Sequence, residues 1–362
     1  MSEIKVNSIK GVSASVAALS INNTDGTCTA NITNNLSNRN LIINGAMQVA
    51  QRGTSSTSAG YKTVDRFGMT ASGTDETPTQ AQVDVASGTT PYTLGFRKAL
   101  RITNGNQTSG AGATDRINIY QHIEAQNIAN SGWNYTSSSS FVTLSFWVKS
   151  SVAQNFYGRI YTSDGAAQGY SFETGSLSAD TWTKVTNKIS GNSNLTFDND
   201  NGSGFYLVIA PFIGTDYTAS GVSLNTWAAF SSSQRAPDYT STWYTTNDAT
   251  FEITGLQLEV GSVATDFEHR SFAQELALCQ RYYTFGDDKV GTTSYPSSDG
   301  YARGWYSFKV NMRGTPTMTF SDRGSGGSKI ADRISDKGFF VTYGSLSASQ
   351  AGTYDWTATA EL

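Results

Sequence analysis

Apolar and polar residues alternate with period two along most of this chain, and that pattern confines it to folds built from sheets. In FVTLSFWVKS, residues 141 to 150, Val142, Leu144, Phe146 and Val148 fall on one face, and Thr143, Ser145, Trp147 and Lys149 on the other. This is the pattern of a half-buried antiparallel strand. GFYLVIAPFIG lacks the polar phase and reads as a strand buried on both faces. In ATFEITGLQLEVG the apolar set Phe251, Ile253 changes phase to Leu256, Leu258, Val260, which places a β-bulge near Gly255. RINIYQHI, within 115 to 129, alternates as a strand and is followed by loop or short helix.

Gly at 35, Tyr at 18 and Phe at 18, beside 6 Pro, fit many short strands joined by turns. With 362 residues, 38% of them hydrophobic, the chain has apolar material for more than one packed unit. Fixed-period repeats of a propeller or β-helix are absent, so residues 41 to 270 are expected to form one large sandwich or jelly roll. Residues 1 to 40 carry seven Asn between 22 and 40 and few large apolar side chains. They read as an extended arm that orders against a partner or its own copies, or as an unordered leader. Residues 286 to 362 form a second, smaller β unit, with alternation in YSFKVNMR broken at Gly314 and Pro316, and in TYDWTATAEL.

One stretch departs from the β pattern. In SFAQELALCQRYY, residues 271 to 283, Ser271 and Gln274 make a capping box and Gly286 supplies a stop. Phe272, Leu276, Cys279 and Tyr283 are spaced 4, 3, 4, as in a coiled-coil seam. Such a short helix needs neighbours. Either parallel copies meet on it, or its apolar face packs on the sandwich of the same chain.

The chemistry sought is mostly missing. A net charge of -4 without like-charge blocks gives no footprint for nucleic acid. No apolar run is long enough to cross a bilayer, and the N-terminus lacks a signal-peptide core, so a soluble cytosolic product without membrane insertion is expected. The only cysteines, Cys28 and Cys279, and the only histidines, His122 and His269, lie far apart, so no zinc site or disulfide framework is expected. DNDNG at 198 to 202 is read as a turn rather than a calcium loop, although it holds Asp198 and Asp200. No catalytic residue, cofactor or metal is assigned. Trp243, Tyr301 and Trp305 are the candidates for stacking on sugar rings.

NRNLIINGAMQVAQRG, YKTVDRFG, TLSFWVKSS, ATFEITGLQLEVGSVATDFEHRS and ELALCQRYY together resemble the tail-fibre and appendage proteins of tailed bacteriophages. MSEIKVNSIKG is similar to their virion-attachment leader, and FKVNMRGTPTMTF to the start of their tip. The resemblance implies a non-enzymatic virion protein, commonly a homotrimer. Residues 1 to 40, with Ile4, Val6, Ile9 and Val12 as anchors, would then grip a tail, adaptor or nozzle protein. The outer β domains would contact a host-surface glycan or lipopolysaccharide. It also favours trimer assembly along the seam of the helix at 271 to 285. Three rival expectations are a purely architectural connector, a polysaccharide-cleaving spike with paired carboxylates, and a secreted carbohydrate-binding module, which would carry an export signal.

Overall fold

The computed structural model describes residues 38–286, 302–322, 328–344 and 354–362, and, among the first 37 positions, 6, 8, 9, 12, 19–21, 24 and 28–30. The chain is all-β. Two six-stranded antiparallel sheets face each other in a sandwich. The first contains β4 (Ser55–Ser56), β6 (Thr79–Asp84), β7 (Lys98–Thr103), β9 (Phe141–Ser150), β12 (Thr183–Ser190) and β15 (Thr250–Val260), in the order β12-β9-β15-β7-β6-β4. The second contains β5 (Gly68–Ser72), β8 (Arg116–Glu124), β10 (Asn155–Thr162), β11 (Gln168–Ser176), β13 (Ser203–Ile213) and β14 (Trp227–Ala229), in the order β14-β11-β10-β13-β8-β5.

The core is what the alternation demands. Val142, Leu144, Phe146 and Val148 of β9 pack with Phe156 and Ile160 of β10 and Leu207 and Ile209 of β13 in one buried cluster. The other face of β9 departs from the expectation, because Thr143 and Ser145 are buried too. The chain that returns after β15 covers them: Thr143 Oγ1 donates to the Gly261 carbonyl at 2.8 Å, and Thr265 N donates to Glu259 at 2.8 Å. The bulge sits where the phase change puts it. The register of β15 on β9 shifts between Thr254 and Gln257, and Gly255 holds φ +63°, where a Cβ would meet the Phe96 ring at 2.7 Å.

Strand β8 runs directly into α2 (Ala125–Ala129), and a single turn, α1 (Thr90–Thr93), precedes β7. The longest helix, α3 (Phe272–Gln280), has its capping box formed: Gln274 N donates to Ser271 Oγ, and Ser271 N donates to Gln274 Oε1. It stops before Tyr283, which begins β16 (Tyr283–Gly286), so Gly286 ends a strand and not the helix. Nor do the four seam residues form a free stripe. Cys279 is buried with Ile43, Val49 and Tyr282 of its own chain, Leu276 packs partly against them, and only Phe272 stands exposed. Asn44 N donates to Glu275 at 2.5 Å and Arg270 Nη1 to the Ile42 carbonyl at 3.2 Å, which fixes α3 on the sandwich. Most of the apolar face of this helix is therefore packed within its own chain.

In the small C-terminal unit β21 (Tyr354–Thr359) lies between β16 and β18 (Thr317–Asp322), and β20 (Gly338–Gly344) between β17 (Ala302–Ser307) and β19 (Ser328–Ser335). Its core holds Phe308, Met312, Phe339, Val341, Trp356 and Ala358. Strand β17 ends at Ser307, short of the alternation in the sequence, because Phe308 and Met312 donate their N–H groups to the Lys337 and Asp336 carbonyls in a loop contact. Near the start of the chain, β1 (Ser8–Ile9), β2 (Leu19–Ile21) and β3 (Cys28–Ala30) form a three-stranded antiparallel sheet. Val6, Ile9 and Val12 are exposed; Ile4 lies outside the described residues.

Candidate functional site

The outward face of the second sheet carries an unusual set of side chains. Along β10, Phe156 and Ile160 enter the core, so Tyr157, Arg159 and Tyr161 point the other way. Antiparallel pairing sets His122, Tyr206, Tyr161, Gly169 and Ala228 side by side across five strands, and Gly68, Tyr120, Val208, Arg159 and Ser171 in the adjacent row. The rings touch in sequence: Tyr61 to Tyr120 at 5.3 Å, Tyr120 to Tyr206 at 5.4 Å, Tyr206 to Tyr161 at 4.7 Å, and Tyr161 to Phe230 at 4.6 Å. All five are half-buried, so each leaves part of its surface to water. Gly68 permits the run, since a Cβ there would strike the Tyr120 ring at 2.2 Å.

At the Phe230 end the face is closed by the chain between β13 and β15. Ala236 packs on Ala210 and Ile213 beside Tyr157, Tyr217 and Tyr239. Between this segment and the sheet lies a hollow of about 200 Å³ bordered by Arg159, Gly169, Ser171, Thr226, Phe230 and Arg235. Its floor is low because Gly169, Ser171 and Ala228 are small. Arg159 is 5% exposed, and its Nε is buried without a hydrogen-bond partner. No ion pair among the described residues involves Arg159, Arg235 or Arg116. Burial, then the neighbouring Arg235, lowers the Arg159 pKa to about 10, which leaves it charged at neutral pH. Arg235 Nε donates to the Ser232 carbonyl at 2.7 Å, and Arg116 Nη1 to the Tyr217 hydroxyl at 2.9 Å, so both are held by the segment between β13 and β15.

His122 stands at the opposite end of the first row, 4.1 Å from the Tyr206 ring, with Nδ1 2.8 Å from Ser203 Oγ. Burial, then Arg66 and Arg313, drops its pKa to about 3, so it presents a neutral imidazole at pH 7. The folded state takes up its proton only near pH 3, whereas the unfolded chain does so below about 6.5. Stability therefore falls as pH drops through that window. Asp65 and Glu275, whose carboxyls burial pushes up, act with the opposite sign. Replacing His122→Gln is expected to remove His122's share of this loss, which would show as a flatter urea midpoint between pH 6.5 and 5 than in the unchanged protein. Equal slopes would mean that the imidazole is reached by water.

The residues chosen from sequence lie elsewhere. Trp243 is fully buried, its Nε1 donating to the Thr250 carbonyl at 3.0 Å and its ring 6.5 Å from Phe156. It is a core residue and cannot stack on a sugar. Trp305 is 52% exposed on β17, with Nε1 donating to Ser307 Oγ at 2.9 Å. Tyr301 lies outside the described residues. His269 Nε2 lies 2.9 Å from the Leu94 carbonyl. Asp200 Oδ1 accepts from Gly202 N at 2.8 Å within its own turn, and no group of three metal-ligating side chains occurs among the described residues. Nor is any helix among them long and apolar enough to cross a membrane. The outward row was missed although a signal existed: NFYGRIYT, RINIYQHI and GFYL each place Tyr in the phase opposite the large apolar residues of the core.

No protein-family model and no curated protein matches this chain. Among solved structures, the enzymatically active domain of tailspike protein 4 from bacteriophage CBA120 is similar at TM-score 0.32 and 10% identity, over 61% of this chain and 21% of that one. The chain thus spans about a fifth of the tailspike chain. A putative sugar binding protein from Bacteroides thetaiotaomicron is similar at TM-score 0.32 and 12% identity, over 62% of this chain and 100% of that one. The N-terminal cellulose-binding domain of Cellulomonas fimi β-1,4-glucanase C gives TM-score 0.28 and 10% identity, over 60% and 99%.

Proposed function

We propose that this protein is an adhesive, non-catalytic part of a tailed-phage fibre that binds a host-surface glycan across the outward face of the second sheet. The row of five touching aromatic rings on that face carries the glycan reading. Aromatic faces bind the C–H faces of sugars while keeping a polar rim, and rings held by a sheet lose little entropy on binding. The fibre reading is supported by the resemblance of the sequence segments given above, and it carries with it attachment to the particle through residues 1 to 40 and a homotrimer.

A screen of immobilised oligosaccharides with the full chain tests the first part. Tyr161→Ala and Tyr206→Ala are each expected to weaken the best binder about tenfold, the loss of roughly 1.4 kcal/mol of ring contact, with the thermal midpoint nearly kept. Affinity unchanged in both variants would sink this face as the site. Light scattering tests the second part: the mass of three chains supports the fibre, and the mass of one removes the trimer while leaving the glycan site standing.

A further inference from the structure

The hollow beside the aromatic row has a charge that nothing in the protein answers. Arg159 is nine-tenths buried or more, its Nε lacks a partner, and its guanidinium borders the hollow rather than a carboxylate. A buried charge without a counter-ion destabilises the fold, and proteins rarely keep one unless something else completes it. Arg235 and Arg116 add to the same sign, in a chain whose net charge is -4, so the positive field here is local. Polar groups of Ser223, Thr226 and Ser231 complete the border.

Resting on the glycan reading above, we infer that the hollow receives the anionic substituent of an acidic sugar, a carboxylate or a sulfate ester, with Arg159 as its principal counter-ion. Arg159 and Tyr161 lie two residues apart on the same face of β10, about 7 Å along the strand. A sugar ring stacked on Tyr161 and Phe230 therefore brings a ring substituent to the guanidinium. A planar guanidinium pairs with two oxygens of a carboxylate or sulfate at once, which fixes the orientation of the ring above it. At about 200 Å³ the space suits one sugar unit and not a longer segment.

Calorimetric titration of the full chain in low salt, with a tetragalacturonate, a heparin-derived sulfated tetrasaccharide and neutral cellotetraose, tests this. At least one acidic probe is expected to bind ten or more times tighter than the neutral one, roughly the worth of one charge-assisted pair; which of the two does so separates carboxylate from sulfate. Arg159→Met is expected to abolish the preference while its thermal midpoint stays level or rises, and Gly169→Leu, which fills the hollow and keeps the charge, to do the same. A neutral probe bound as tightly as the acidic ones, or a preference that survives Arg159→Met, would overturn the inference and leave the glycan reading in place. Failure of every oligosaccharide, or tight binding only of a single-stranded oligonucleotide added as a control, would overturn both.

Discussion

Glu361→Ala is expected to lower the unfolding free energy by about 3–5 kcal/mol, the range for breaking a buried ion pair from one side. Arg66 is 1% exposed and Glu361 6% exposed, and their side chains are paired across nearly the whole sequence. Burial works against the Arg66 charge, but Glu361 overrides it and holds the guanidinium pKa above its ordinary value. The rest of the environment cannot replace that carboxylate. Arg66 lies 3.4 Å over the Tyr282 ring and donates to the His122 carbonyl at 2.7 Å, contacts that do not neutralise its charge. Glu361 also accepts from Arg52 Nη2 at 3.0 Å, so its loss leaves Arg66 without a carboxylate and Arg52 with Asp65 at 3.8 Å.

The same change should loosen the join between the sandwich and the small unit, because the chain after β21 is tied there by Ala360 N to the Tyr282 carbonyl at 2.7 Å and by Arg313 Nε to the Ala360 carbonyl at 2.6 Å. Urea unfolding followed by tryptophan fluorescence measures it. Glu361→Gln, which keeps the shape and one acceptor, should fall between the two. A loss below about 1 kcal/mol for the alanine variant would place Arg66 in contact with water, as exposed pairs contribute no more than that.

What was legible in the sequence is what depends on neighbours in the chain. The alternation of β9, the bulge at Gly255 and the capping box of Ser271 and Gln274 are set within a few residues, and each appears where the pattern puts it. Burial that depends on remote segments was not legible. Thr143 and Ser145 read as solvent-facing until the chain after β15 folds back over them. The apolar spacing of α3 fits a partner helix equally well as it fits Ile43 and Val49, which lie more than two hundred positions earlier. Arg159 is the extreme case. A charge in the polar phase of a strand reads as solvated surface, and only the segment after β13 turns that surface into the wall of a hollow.

Trp243 and Tyr206 show why residue type alone misplaces a binding site, and Trp243→Ala provides the sharpest check. Its expected cost is about 3–5 kcal/mol, that of removing a large aromatic side chain from a packed core. The indole is fully buried in contact with Phe156, and its one polar group is satisfied by Thr250, the first residue of β15. Backbone N–H groups of Thr242 and Trp243 both donate to Gln154 Oε1, at 3.0 and 2.9 Å, so the loop cannot easily collapse into the space left behind. The cavity term then adds to the lost transfer energy. Because the side chain never reaches the outward face, the fraction of Trp243→Ala that stays folded should bind glycan with unchanged affinity, the reverse of Tyr206→Ala. A variant that kept its unfolding midpoint but lost glycan affinity would return the site to the loop before β15 and take it away from the tyrosine row.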